Sequence, residues 1–347
     1  MNKTELRRDF NPDGTGLKNG NFIGLPYSFE TANVVLLPVP WDVTVSCHDG
    51  TALAPGTILD ASVQLDLMDP DIQDAWKLGI YMVPTDRAIL DEGNSLRKKA
   101  SAYIEQLESG EPVTSEGSAV VDEINESCSD LNSLVFRESE KIIRAGKICG
   151  IIGGDHSVPL GLMQALGNYY ESFGILQIDA HMDLRRSYQG FTWSHASVFY
   201  NVLKEKSVTR LVQVGIRDYC EEEVQKVKDE GGRVAVFYDN DLREREYKGV
   251  LWDEQCGIII SRLPENVYIS VDVDGLDPKL CPNTGTPVPG GIDFPELIYL
   301  LKKITKTGKR IIGFDVCETG NGEWDANVAA RVIYKLCNLS GRSQRLI

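Results

Sequence analysis

The sequence predicts one large α/β domain, a doubly wound and mostly parallel sheet of about eight strands with helices on both faces. Two observations point there. Short, apolar, β-branched segments alternate with helical patterns, as strands covered on both faces should. The 347 residues lie above the usual single-core size and by length alone would suit one large domain or two small ones, but no Pro/Ser-rich linker or charge block divides the chain. The first strand is Ala32–Val39. Ile148–Ile152, Gly174–Ile178, Arg210–Val214, Val234–Phe237, Val267–Val271 and Arg310–Phe314 come after it. Helical spacing fills the intervals at Ser133–Ala145, Leu160–Leu166, Glu221–Asp229 and Phe294–Lys303. Residues 1–30 are polar and Gly-rich and read as an amino-terminal arm, leaving 31–347 as the main domain. The polar stretch Glu92–Asn132 reads as a helix-containing excursion on the surface.

Charge narrows the partners. Lys and Arg number 36 against 51 Asp and Glu, a net charge of −15, which argues against nucleic acid or an anionic membrane and suits a small cationic substrate. No apolar run is long enough to span a bilayer. The stretch Met1–Asp9 lacks the apolar core of a signal peptide, so the expectation is a cytoplasmic chain. The eight cysteines are scattered with no Cys-x-x-Cys pair and read as buried, reduced thiols.

The polar signals gather just past the strands. Gly153-Gly154-Asp155-His156-Ser157, Asp179-Ala180-His181-Met182-Asp183 and Asp272-Val273-Asp274-Gly275 each succeed an apolar run, and Glu318 comes after Val316-Cys317. In an open parallel sheet, ligands bind beyond the carboxyl ends of the strands. Asp179, His181 and Asp183 alternate, so an extended segment turns all three to one side, and Asp272 with Asp274 repeats that geometry. Asp-x-Asp alone is commonly a solvated turn, and Gly-Gly-Asp-His alone is a turn. Their joint occurrence at three strand exits favours a binuclear metal site. Four carboxylates cannot be buried together without cations. Two divalent ions would neutralise them, and oxygen–imidazole ligation without sulfur favours Mn2+, with Ni2+ or another divalent metal also compatible.

These segments, with Ser194-His195-Ala196-Ser197, Gly215-Ile216-Arg217, Thr284-Gly285-Thr286-Pro287 and Asp277-Pro278, resemble the signatures of the ureohydrolases, the arginase–agmatinase family, over about residues 32–340. The resemblance implies a three-layer α-β-α arginase-like fold, two Mn2+ ions and a homo-trimer or homo-hexamer. It assigns His156, Asp179, Asp183 and Asp272 to one metal and His181, Asp179, Asp272 and Asp274 to the other, with Asp179 and Asp272 bridging. It also implies cleavage of a guanidino group to urea and an amine, as in agmatine to putrescine. Water shared by two metals loses its proton more readily than bulk water. Asp183 is expected to return a proton to the leaving amine, His195 to shuttle protons, and Glu318 to bind the guanidinium, whose planar fork of N–H donors suits a carboxylate.

Substrate choice is less fixed. Glu318-Thr319-Gly320-Asn321 lacks the proline usual after the family's glutamate, and Ser46-Cys47-His48-Asp49-Gly50 differs from the agmatinase first loop. His48 is the one histidine without a family role, and loop structure is its simpler reading. Asp183-Leu184-Arg185-Arg186 and Phe191-Thr192-Trp193 look agmatinase-like, with Phe191 and Trp193 expected to narrow the pocket toward a short alkyl guanidine or guanidine itself. Guanidino acids and formiminoglutamate are alternatives, because Arg185 or Arg186 suits a substrate carboxylate. A different two-metal hydrolase would be expected to add basic residues at the rim. A silent regulatory relative would be expected to lose a ligand, and all six are present.

Overall fold

In the computed structural model, which describes residues 3–347, eight parallel strands form one sheet. They are β1 Val34–Val39, β2 Ile80–Met82, β3 Ile148–Gly153, β4 Phe173–Ile178, β5 Val208–Ile216, β6 Val234–Tyr238, β7 Asn266–Asp272 and β8 Arg310–Cys317. Their order is β2-β1-β3-β8-β7-β4-β5-β6. The seven strands read from the sequence are all present. The eighth, β2, is three residues long, too short to show a period.

Side chains alternate between two apolar layers, as the period of a strand requires. Val34 and Leu36 of β1 join one core, while Val35, Leu37 and Val39 join the other. The second core is closed by helices Arg87–Glu108 and Ser115–Arg144, which absorb the expected polar excursion. Each is amphipathic: Leu96, Ala100, Tyr103 and Ile104 face inward on the first, and Ile124, Cys128, Leu131, Val135 and Ile142 on the second. Asp86 and Thr114 cap their first turns by accepting the Ala88 and Gly117 N–H groups at 2.8 and 3.0 Å. The first core is closed in part by helix Glu323–Ser343, buried at nearly every position from Asp325 to Gly341. The sequence reading did not list this helix, whose buried positions include the polar Asp325, Lys335, Asn338 and Ser340 among the apolar ones. Phe22, Ile23 and Leu25, within the segment read as an arm, are also part of this core.

Strand order sets where the polar motifs meet. β7 and β8, last in sequence, lie between β3 and β4. The four strands whose exits carry those motifs are therefore consecutive neighbours at the centre of the sheet.

Close packing there gives a test. A Cβ on Gly150 of β3 would lie 2.5 Å from the fully buried ring of Phe314 on β8. Gly150→Ala is expected to lower unfolding free energy by about 1–3 kcal/mol. Adding Phe314→Leu should recover part of that loss, read from the denaturation midpoints of both single variants and the double variant.

Candidate metal centre

Each site residue owes its place to a strand end and a turn that only certain residues permit. β3 ends at Gly153-Gly154, and a Cβ on Gly154 would overlap the Trp41 carbonyl oxygen. With that space free, the Asp155 N–H bonds Trp41 O at 2.8 Å and the chain turns His156 inward. After β7, Gly275 lies so close to Asp179 that a Cβ would be 2.5 Å from its backbone nitrogen. The turns after β4 and β7 therefore pack together, and the Ala180 N–H reaches Asp274 Oδ1 at 3.1 Å.

The six residues expected as ligands converge. Nδ1 of His156 lies 3.0 Å from Asp179 Oδ2, 3.0 Å from Asp183 Oδ2 and 3.2 Å from Asp272 Oδ2. Nδ1 of His181 lies 3.0 Å from Asp274 Oδ2 and 3.7 Å from Asp179 Oδ1. His156, Asp179 and Asp272 form one group of potential ligand atoms within 4.8 Å, and Asp179, His181 and Asp274 form a second. The two carboxylate oxygens of Asp179 thus face different histidines, the disposition of a bridging ligand. Asp272 turns Oδ2 to the first group, while its Oδ1 accepts the Asp274 N–H at 2.8 Å.

These residues fit a pair of cations on their own chemistry. His156 is 1% exposed, and its Nδ1 makes no hydrogen bond despite three carboxylate oxygens around it. The opposite ring nitrogen, Nε2, lies 2.9 Å from Ser270 Oγ, whose hydroxyl donates to Asp315 at 2.8 Å. With its proton committed to Asp315, Ser270 accepts from Nε2–H, which leaves the lone pair on Nδ1 for a metal. A second chain orients Asp179: Gln213 Nε2 donates to Gln177 Oε1 at 2.7 Å, and Gln177 Nε2 donates to Asp179 Oδ2 at 2.8 Å. The sequence reading missed Asp315, Ser270, Gln177 and Gln213. Their only signal was a polar side chain within an otherwise apolar strand.

Without ions the charges are poorly settled. Burial alone would push the His156 imidazole down, but the carboxylates of Asp179, Asp183 and Asp272 raise it well above its usual value. Burial, then the neighbouring Asp179 charge, raises Asp183 to about 7. Burial and Asp274 raise Asp272 well above the carboxylate range. Asp179 goes the other way, since His156 and His181 outweigh its burial. Asp183 also has φ +55°, a left-handed backbone uncommon outside glycine.

The adjoining cavity has a volume of about 410 Å³. Its wall includes Ser46, Cys47, His48, His181, Asp183, Arg185, Tyr188, His195, Asp218 and Thr286. His195 donates its backbone N–H to Thr44 Oγ1 at 3.3 Å, and burial, then the nearby His181 and His156, push its imidazole down to about 3. The Arg185 guanidinium stacks on the Tyr188 ring, 4.7 Å from its centroid. Glu318 lies behind the wall, 4% exposed with φ +59°. Its Oε1 accepts the His156 N–H at 2.9 Å, and its buried Oε2 has no partner. Burial and the Asp155 charge raise its carboxyl well above the usual range. Trp193 and Phe191 are not in the cavity wall. Trp193 borders a small void with Cys128, Leu131 and Asn132, and Phe191 is fully buried against Tyr103. The turn from Ser187 to Gly190 brings Tyr188, not either of them, to the cavity.

A central parallel sheet with histidines and aspartates clustered at its adjacent strand ends is the framework of a metal-binding α/β protein. Comparison with known proteins places it more closely. The profile described as Arginase family matches residues 32–338. An N(1)-aminopropylagmatine ureohydrolase of Thermus thermophilus is 34% identical over 315 residues, 90% of this chain and 92% of the relative. An agmatinase of Halalkalibacterium halodurans is 28% identical, covering 86% and 87% of the two chains. The crystal structure of the agmatine ureohydrolase of Thermoplasma volcanium superposes with a TM-score of 0.71 at 22% identity, covering 99% of each chain, and shares the fold. The chain belongs to the arginase family, and it is a ureohydrolase acting on the C–N bonds of linear amidines.

The buried charges make stability depend on pH. The upward shifts of Asp183, Asp272, His156 and His181 mean that the folded, metal-free protein holds protons the unfolded chain releases sooner. Stability of the metal-free protein should therefore fall on balance as pH rises from about 4 through about 7, with His195, whose imidazole is pushed down to about 3, working against the four raised groups. Saturating Mn2+ should flatten or reverse that trend, and thermal melts with chelator and with Mn2+ across this range check it.

Proposed function

We propose that this ureohydrolase cleaves an agmatine-type substrate, a guanidinium on a short alkyl amine, to urea and the free amine, using two Mn2+ ions. Ni2+ is the second candidate metal. The observation that carries the substrate reading is Glu318 Oε2, a buried carboxylate oxygen with no partner beside the metal centre. Such an oxygen is costly unless a donor arrives, and a guanidinium brings N–H donors and a compensating charge. The names of the Thermus and Halalkalibacterium relatives support the same class.

His156, Asp179, Asp183 and Asp272 would hold one ion, and His181, Asp179, Asp272 and Asp274 the other. When bound, the ions would supply a water acidified enough to attack at neutral pH. The chain's own residues do the rest. Glu318 seats the guanidinium and fixes its plane. Asp183, at once a cluster residue and part of the cavity wall, returns a proton to the departing amine. His195, held by Thr44 and low in basicity, passes protons between cavity and solvent. A cytoplasmic homo-trimer or homo-hexamer, with residues 31–347 as the catalytic unit and 1–30 as an arm anchored in its core by Phe22, Ile23 and Leu25, completes the reading.

A second reading has its own observation. Arg185, in the cavity wall and stacked on Tyr188, has no carboxylate partner among the described residues. A guanidino acid would offer it one. Urea release from agmatine, 4-guanidinobutanoate and guanidine separates the readings, and formamide with ammonia would indicate a formimino substrate.

Glu318→Gln keeps the shape and removes the charge. It should lower kcat/KM for the preferred guanidino substrate by about a thousandfold with about two ions still bound per chain. Unchanged turnover would refute the assignment. Removing the metals with chelator should abolish urea release, and Mn2+ should restore it.

A further inference from the structure

His48 is the one histidine to which the proposed function gives no role. It lines the cavity and is exposed. Its Nδ1 lies 3.2 Å from the Gly285 carbonyl oxygen, and its backbone N–H points to the same oxygen at 3.4 Å. A carbonyl oxygen only accepts, so Nδ1 carries the proton. In the neutral ring the lone pair is then on Nε2. Cys47 Sγ, 3.6 Å from Nδ1, fits the same assignment as a weak acceptor. The opposite tautomer would set two lone pairs against each other at 3.2 Å. Among the described residues, nothing hydrogen-bonds to Nε2.

Gly285 connects this imidazole to the buried glutamate. A Cβ built on Gly285 would lie 3.3 Å from Glu318 Oε2 and 3.4 Å from the His48 carbonyl oxygen. The first loop therefore borders the subsite where Glu318 offers its unpartnered oxygen. An alkylguanidinium has five N–H donors, and one free carboxylate oxygen cannot satisfy them all. Those turned away from Glu318 need acceptors, and a neutral imidazole supplies one without adding to the negative charge of the site.

We infer that His48 is a substrate-binding residue, whose Nε2 accepts an N–H from the guanidinium seated on Glu318. The inference rests on the guanidino reading of the site. It also explains why the first loop is tied to Gly285 by both the backbone and the ring of one residue: the two contacts fix the position and the tautomer of the acceptor.

The test is steady-state urea release by the metal-loaded, full-length enzyme, using whichever of agmatine and 4-guanidinobutanoate turns over faster. Wild type, His48→Ala and His48→Gln are compared, with metal content measured for each. His48→Ala should raise KM about tenfold, the loss of one hydrogen bond to a charged group, with kcat within about twofold and metal content unchanged. His48→Gln, whose amide oxygen accepts in a similar place, should return KM to within about threefold of wild type. A KM unchanged in His48→Ala overturns the inference, and so does a Gln variant no better than Ala. Loss of metal, or a loss confined to kcat, also overturns it, because His48 would then act by holding the loop or in the chemistry. If His48→Ala is silent while Glu318→Gln abolishes turnover, this inference alone fails. If both are silent, the guanidino reading of the site fails with it.

Discussion

The structure depends on a concentration of buried carboxylates at the centre of its sheet. Asp179, Asp183, Asp272, Asp274 and Glu318 are each at most 4% exposed, and Asp155 and Asp315 are fully buried nearby. Like charges this close in a poorly hydrated interior repel strongly, and no ordinary fold assembles them unless a compensating charge is part of its working state. In the metal-free protein the compensation is makeshift: His156 and His181 hold protons, and Asp183 and Asp272 resist ionising. Divalent ions would resolve the conflict, which would make metal binding and stability two aspects of one interaction.

Around that cluster, the protein's buried polar groups serve orientation. The Asp315–Ser270–His156 chain fixes a tautomer, and the Gln213–Gln177–Asp179 chain fixes a carboxylate plane. Arg217 works on the backbone. Its guanidinium donates to the carbonyls of Asp274, Leu276 and Val288 at 2.6, 3.2 and 2.9 Å, tying the turn that carries Asp274 to the loop that walls the cavity. A planar fork with five donors can hold several carbonyls at once, which an ammonium on a flexible stem does poorly. Asp183 and Glu318 adopt left-handed backbone conformations, a local strain the surrounding contacts must offset. Both stand past a strand end where the chain turns a carboxylate toward His156.

Much of this was legible in the residues. The parallel sheet was readable because strands covered on both faces are continuous apolar runs. That Asp179, His181 and Asp183 would meet was readable from their i, i+2, i+4 spacing just past a strand, although Asp183 reaches the cluster through a left-handed backbone turn rather than extended chain. The reading failed where sequence carries no period. β2 is too short, and helix Glu323–Ser343 buries the polar Asp325, Lys335, Asn338 and Ser340 along with its apolar residues, which masks a core helix. Phe191 and Trp193 were expected in the pocket because of their size and their nearness to His195. The turn at Ser187–Gly190 directs Tyr188 there instead, and sequence proximity does not fix a side chain's direction across a turn.

By itself the sequence determined which chemistry the protein can carry, because residue type sets ligand character and local spacing sets which side of a strand exit each ligand faces. Only the tertiary structure decided that the motifs form one site. That arises from the insertion of β7 and β8 between β3 and β4, which pairs strands far apart in the chain. Such pairings are chosen by the packing of both sheet faces together, and no local spacing encodes them. The same holds for the partnerless oxygen of Glu318 and for the loop that brings His48 to Gly285, since burial and contact across the fold belong to the folded chain.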